Sequence, residues 1–217
     1  MPLPAGSENG SLWGVSCSEA SACVAVGWYY LDGQHPLIAA LSDGVWSEQN
    51  VAVPRQATQA SLAGVACPTA EACTAVGTYR TQPEAPYGPL VETLASGRWH
   101  YGVPKRGSNV ALNGVSCSGE TCVAVGTRSP ALMSSQAYRG VAYELSGTTW
   151  TKSLLPDAVR DNRTIQDSRE YMDGVACDAA SSCLAVGVDA YNKNAAAAVL
   201  TLANGAWSAR KVFAPLT

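Results

Sequence analysis

The sequence predicts an all-β fold: a β-propeller of four four-stranded antiparallel blades with one intra-blade disulfide each. Three observations predict it. First, one motif is written four times, beginning at Gly14-Val15-Ser16-Cys17, Gly64-Val65-Ala66-Cys67, Gly114-Val115-Ser116-Cys117 and Gly174-Val175-Ala176-Cys177. The spacings of 50, 50 and 60 residues mark a repeat architecture in which each copy is one supersecondary unit packed on its neighbours. Second, each copy carries a local cysteine pair. Third, each copy reads as four short strands separated by turn residues.

In the first repeat, Leu12 to Cys17 and Cys23 to Tyr29 are apolar runs flanking the polar Ser18 to Ala22, which predicts a hairpin with its cysteines near the mouth. Pro36 to Leu41 is the third strand. Ser42-Asp43-Gly44-Val45 is a tight turn into Trp46 and a fourth strand ending near Pro54. The matching turns of the other copies, Ser96-Gly97, Gly147-Thr148 and Asn204-Gly205, suit two-residue hairpins because Gly and Asn tolerate positive φ. Ala195 to Leu200, the longest apolar run, is a strand and far too short for a membrane helix. The blades span 11–54, 61–104, 111–156 and 171–215, all within one domain covering 1–217.

The cysteines fall into four local pairs: Cys17 with Cys23, Cys67 with Cys73, Cys117 with Cys122, and Cys177 with Cys183. Disulfides in an oxidising, extracellular setting are expected. A zinc site would draw closer-spaced cysteines together from two pairs, so no metal and no cofactor is predicted. Met1 is followed by Pro-Leu-Pro-Ala-Gly, with no basic or apolar leader region. The expectation is therefore a mature secreted chain, of GC-rich bacterial origin, whose leader has been cut away and a Met added. The net charge of -3 argues against a nucleic-acid partner. Only 14 % of residues are charged, against about 25 % in an average domain.

Length variation separates the two ends of the blades. The Cys-to-Cys step is 6, 6, 5 and 6 residues, and the step from the third-strand Leu to the Trp is always 5. The second-to-third-strand connections and the links between repeats differ in length, which marks them as the binding face. Seven of the nine tyrosines fall there: Tyr29, Tyr30, Tyr79, Tyr87, Tyr138, Tyr171 and Tyr191. Trp28, Asp32, Arg80, Arg128, Arg139, Asp189 and Asn192 accompany them as candidate binding residues. Tyrosine offers a large apolar face with a polar tip, which suits sugar rings and protein surfaces. By contrast, Trp46, Trp99, Trp150 and Trp207 recur at one repeat position and are read as packing residues. Gly27, Gly77, Gly126 and Gly187 are read as crowded-strand positions.

The pattern Leu-x-Gly-Val-Ser-Cys, Ala-Val-Gly and Leu41-Ser42-Asp43-Gly44-Val45-Trp46 resembles the Asp-box, or bacterial neuraminidase repeat, propellers and their photosystem-assembly-factor-like relatives. In that family the box lies at the turn between the third and fourth strands, as placed here. The other copies are decayed: Ala95-Ser96-Gly97-Arg98-Trp99, Ser146-Gly147-Thr148-Thr149-Trp150 and Ala203-Asn204-Gly205-Ala206-Trp207. The box is structural in the family, so the resemblance implies fold and not activity. Sialidase chemistry would need an arginine triad and a Tyr/Glu pair on six blades, and this chain has four repeats. The Leu3-Pro4-Ala5-Gly6-Ser7 segment echoes Val103-Pro104-Lys105-Arg106-Gly107-Ser108, so a chain cut between blades is expected. A monomer closed by blade 1 on blade 4 is expected, ahead of a dimer forming one eight-bladed ring or a fragment of a longer propeller.

Function is read as a secreted, non-catalytic, lectin-like module whose partner is a carbohydrate or an extracellular protein. The alternative is a polysaccharide hydrolase or lyase using Asp32, Glu84, Asp161, Asp167, Glu170 or Asp189. A third reading is a structural scaffold. No catalytic residue is assigned.

Overall fold

A computed structural model describes residues 3–102, 104, 109–129, 138–146, 149–156, 168–179, 181–191 and 194–212. The chain divides into two compact units, Met1–Gly107 and Ser108–Thr217. Among the described residues every helix-or-strand element is a strand. The first unit holds β1 (Asn9–Glu19), β2 (Ala22–Tyr30), β3 (Gln34–Ser42), β4 (Val45–Glu48), β5 (Gln59–Thr69), β6 (Ala72–Arg80), β7 (Gly88–Ala95) and β8 (Arg98–Gly102). The second holds β9 (Val110–Ser118), β10 (Thr121–Arg128), β11 (Arg139–Ser146), β12 (Thr149–Leu154), β13 (Ser168–Ala179), β14 (Ser182–Tyr191), β15 (Asn194–Ala203) and β16 (Ala206–Val212).

Each repeat is one antiparallel four-stranded sheet, paired in chain order. Within each unit one parallel bridge joins consecutive sheets: Gln34 to Gln59 in the first and Tyr138 to Arg169 in the second. The turns at Asp43-Gly44, Ser96-Gly97 and Asn204-Gly205 have positive φ at both central residues. That backbone matches strand twist and explains the Asn, Asp, Ser and Gly found there. Gly147-Thr148 lies outside the described residues.

All eight cysteines are bonded, in the four local pairs expected. Each bond staples the first strand of a sheet to the second near their connecting turn. The third differs in length: Cys117 bonds Cys122 across a separation of 5 residues, where the other three span 6. The shorter step belongs to a tighter turn, in which Gly119 takes a φ of 60°. Cys117 and Cys122 still face each other directly in the ladder, as Cys17 and Cys23 do.

The fourth strand of the first sheet corrects an expectation. It stops at Glu48 rather than near Pro54. The Gln49 N–H still reaches the Ile38 carbonyl at 2.9 Å, but Val51 and Val53 then leave the ladder to pack on the core. Pro54 has no N–H with which to continue it.

The core of each unit lies between its two sheets. In the first unit Val24, Val26 and Ile38 of one sheet meet Leu62, Val65, Cys73, Ala75, Leu90 and Trp99 of the next. In the second, Val123, Val125 and Ala142 meet Cys183, Ala185, Ala198, Leu200 and Leu202. Within each unit the recurrent tryptophans divide by sheet. Those of the second sheet in each unit join the core: Trp99 is buried there, and Trp207 packs against it while its Nε1–H donates to Glu144 Oε1 at 3.3 Å. Trp46, on the first sheet, stays exposed on a strand with no buried residue. Trp150, on the third sheet, is half-buried and outside the core cluster.

Both joints are also tied by one hydroxyl. The Cys67 N–H donates to Ser16 Oγ at 3.0 Å, and the Cys177 N–H donates to Ser116 Oγ at 3.0 Å. This explains the alternation of Gly-Val-Ser-Cys with Gly-Val-Ala-Cys, since the serines belong to the first sheet of each unit and Ala66 and Ala176 to the second. Ser16→Ala or Ser116→Ala is expected to cost about 1 kcal/mol each by leaving that amide unpaired. Chemical denaturation of the single variants, with Ser21→Ala at an exposed position as the control, measures it.

Candidate functional site

The strand ends opposite the disulfide-stapled turns carry most of the aromatic and basic candidates. Their positions follow from the ladders: Tyr30 pairs with Gln34, Gln34 bridges to Gln59, and Gln59 pairs with Arg80. One row of backbone thus brings the end of β2 level with the end of β6.

In the first unit the Tyr29 ring stacks on His35 with centroids 5.3 Å apart. The His35 Nε2 is held 2.8 Å from the Leu31 carbonyl. Burial, and secondarily the Glu48 carboxylate, push the Tyr29 hydroxyl above its ordinary pKa, so it is a proton donor throughout the physiological range. Tyr30 is exposed at the strand end, and Asp32 occupies an exposed turn position at φ 51°. Glu84 is likewise exposed. The Arg80 guanidinium lies 3.4 Å from the Tyr87 ring centroid and donates from Nη1 to the Pro83 carbonyl at 2.7 Å. Tyr79 pairs with Gly88, and a side chain there would strike its ring. Trp28 packs edge-to-face against Trp13, with centroids 6.2 Å apart.

In the second unit Tyr138 and Tyr171 lie with centroids 5.5 Å apart, and the Arg169 guanidinium sits 5.7 Å from the Tyr138 ring centroid. Glu170 and Asp189 are cross-strand partners on β13 and β14 and form the one carboxylate–carboxylate pair in register among the described residues. Sequence reasoning treats them as scattered loop acids, but both are buried, at 3 % and 6 % exposed. The Gly140 N–H donates to Glu170 Oε2 at 3.3 Å, which orients that carboxylate towards the start of β11. Arg139 and Arg128 pair across β11 and β10. Tyr191 ends β14. Asn192, Asp161 and Asp167 lie outside the described residues.

Two residues escape sequence reasoning. Trp13 is the variable residue of a motif that reads Leu-x-Gly-Val in three repeats and Met-x-Gly-Val in the fourth. Glu92 occupies a third-strand position filled by Ala39, Tyr143 and Leu200 in the other repeats. Aligning the four copies finds both. Among the described residues no group of three His, Cys, Asp or Glu side chains is placed to hold a metal ion.

No protein-family model matches the chain, and no curated protein matches it. Solved structures do. An endo-arabinase from Bacteroides thetaiotaomicron superposes with a TM-score of 0.53 at 10 % identity, covering 88 % of this chain and 76 % of that one. A thermostable family-43 glycoside hydrolase gives a TM-score of 0.57 at 8 % identity, covering 98 % and 75 %. A family-74 xyloglucanase from Xanthomonas campestris gives 0.54 at 15 % identity, covering 94 % of this chain and 31 % of its own. At these identities the likeness is one of fold: this chain has the propeller-like, all-β fold of those proteins.

Proposed function

We propose that this protein is carbohydrate-directed, that its four sheets are successive blades of one propeller, and that glycoside hydrolysis is the activity to expect. The supporting observation is the cross-strand carboxylate pair of Glu170 and Asp189 at a strand end of the second unit, with Arg169 and Tyr171 flanking Glu170 along β13 on the opposite face of the strand. The similar structures include an endo-arabinase, a family-43 glycoside hydrolase and a xyloglucanase. Hydrolysis needs one carboxylic acid to protonate the leaving oxygen and one carboxylate to act as nucleophile or to activate water. Glu170 and Asp189 supply the two groups. Tyr138 and Tyr171 offer apolar faces to a sugar ring, and four disulfides fit an extracellular place of work.

One observation favours a second reading, a lectin-like module without catalysis. Both carboxylates are nearly inaccessible, as a polar tie between strands would be. A panel of polysaccharides including arabinan and xyloglucan, read by reducing-end release and by binding, separates the two. Hydrolysis reduced at least about a hundredfold in Glu170→Gln and Asp189→Asn supports catalysis there. Binding without product release supports the lectin-like reading. Neither binding nor release overturns both.

A further inference from the structure

We propose that the exposed indole of Trp13, braced by Trp28, is a stacking platform for the apolar face of a sugar ring, a glycan subsite on the first strand of the first sheet. It rests on the carbohydrate reading above but uses neither the strand-end tyrosines nor Glu170 and Asp189.

Every repeat shares one irregularity in its first hairpin. The ladder skips one residue between Leu12 and Gly14, between Leu62 and Gly64, between Leu112 and Gly114, and between Met172 and Gly174. A β-bulge of this kind leaves its extra residue without a cross-strand partner and re-aims the side chain. The skipped residues are Trp13, Ala63, Asn113 and Asp173, an unrelated set inside a motif that otherwise barely changes. Packing therefore does not dictate what stands there. Asn113 uses the position structurally, donating from Nδ2 to the Met172 carbonyl at 2.8 Å.

Trp13 has no comparable structural duty. The residue is 56 % exposed, and the adjoining residue Gly14 lies against the backbone of Ala63 and Gly64. The second sheet manages with Ala63 at the same bulge, so the fold does not require an aromatic residue. Holding a large indole in water forfeits the burial that drives folding. The edge-to-face contact with Trp28 restrains the ring while leaving more than half of its surface open. A restrained, open aromatic face loses little entropy when a ligand's C–H surface stacks on it.

Trp13→Ala tests this directly, and Ala63 is the precedent that the bulge accepts alanine. The probes are soluble arabinan, soluble xyloglucan and an array of defined oligosaccharides. The expected result is at least a tenfold loss of affinity in Trp13→Ala, much smaller in Trp13→Phe, and a ligand-induced change in tryptophan emission that Trp13→Ala abolishes. Wild-type affinity in Trp13→Ala overturns the platform and leaves the carbohydrate reading standing. A wild-type protein that neither binds nor cleaves any probe overturns both. A Trp13→Ala variant that keeps its affinity but changes elution volume on size exclusion overturns the platform in favour of contact between copies.

Discussion

Glu92→Gln is expected to remove a loss of stability that the native protein undergoes as the pH rises from about 4.5 towards 8. Glu92 lies on β7, opposite Ala75 and Tyr101, with none of its surface exposed and neither carboxylate oxygen bonded. Its surroundings are the apolar joint between the first two sheets, including Leu90, Ala75 and Trp99. Burial without a partner penalises the charged form and pushes its pKa up to about 8. Between about pH 4.5 and 8 the unfolded chain has lost this proton and the folded chain keeps it. Stability therefore falls as pH rises, by up to about 1.4 kcal/mol per pH unit, and the loss levels off above the folded-state pKa. The neutral amide of Glu92→Gln has no such dependence. Near pH 4 the variant should match the wild type, and by pH 8 it should be more stable by a few kcal/mol. Glu92→Leu, copying Leu200 at the same repeat position, should gain at every pH by removing the buried polar group as well. Denaturation curves at pH 4, 6 and 8 decide it; parallel pH profiles for wild type and Glu92→Gln would show that this carboxyl does not stay protonated in the fold.

Glu92 also shows where reading a single sequence stops. The hairpins and the disulfide partners are legible because they are local and repeated: Cys17 and Cys23 six residues apart, Cys117 and Cys122 five apart, a Gly in each two-residue turn. Joints between sheets are not local. Four tryptophans stand at one repeat position, yet within each unit it is the second sheet's that joins the core between the two sheets, and nothing near Trp46 or Trp99 in the chain says which is which. The segment before Tyr171 reads as a polar loop from its Arg and Asp content, yet β13 begins at Ser168 and buries Glu170 against Asp189. No short window of sequence contains both residues, because a turn of β-structure brings them into register. Glu92 reads as the polar member of an alternating strand, while β7 is buried on both faces from Pro89 to Glu92. The Ser/Ala alternation before the first cysteine of each pair is visible in the sequence, but only the bonds from Ser16 and Ser116 give it meaning.

Gly77→Ala is expected to cost at least about 3 kcal/mol, lowering the melting temperature by roughly 10 °C, with the same penalty at Gly27, Gly126 and Gly187. These glycines are needed for space. A β-carbon on Gly77 would lie 2.0 Å from the Ser61 carbonyl oxygen; on Gly27 it would lie 1.9 Å from that of Ser11, on Gly126 2.0 Å from that of Ala111, and on Gly187 1.9 Å from that of Tyr171. The obstacle is backbone in every case, and it is the carbonyl two residues before the bulged residue. No rotamer change can relieve it, so the strand must shift and take the bulge with it. The turn glycines Gly44 and Gly97 make the control. They adopt φ of 78° and 71° with open space where a β-carbon would go, so alanine there meets only the left-handed backbone penalty of about 1 kcal/mol. Thermal unfolding of Gly77→Ala beside Gly44→Ala separates the two causes. If the two variants melt together, the bulge is not pressed against Gly77. If Gly77→Ala alone collapses, the bulge is built into the packing of the strand pair, and the side chain it frees in each repeat is open to be chosen for something other than folding.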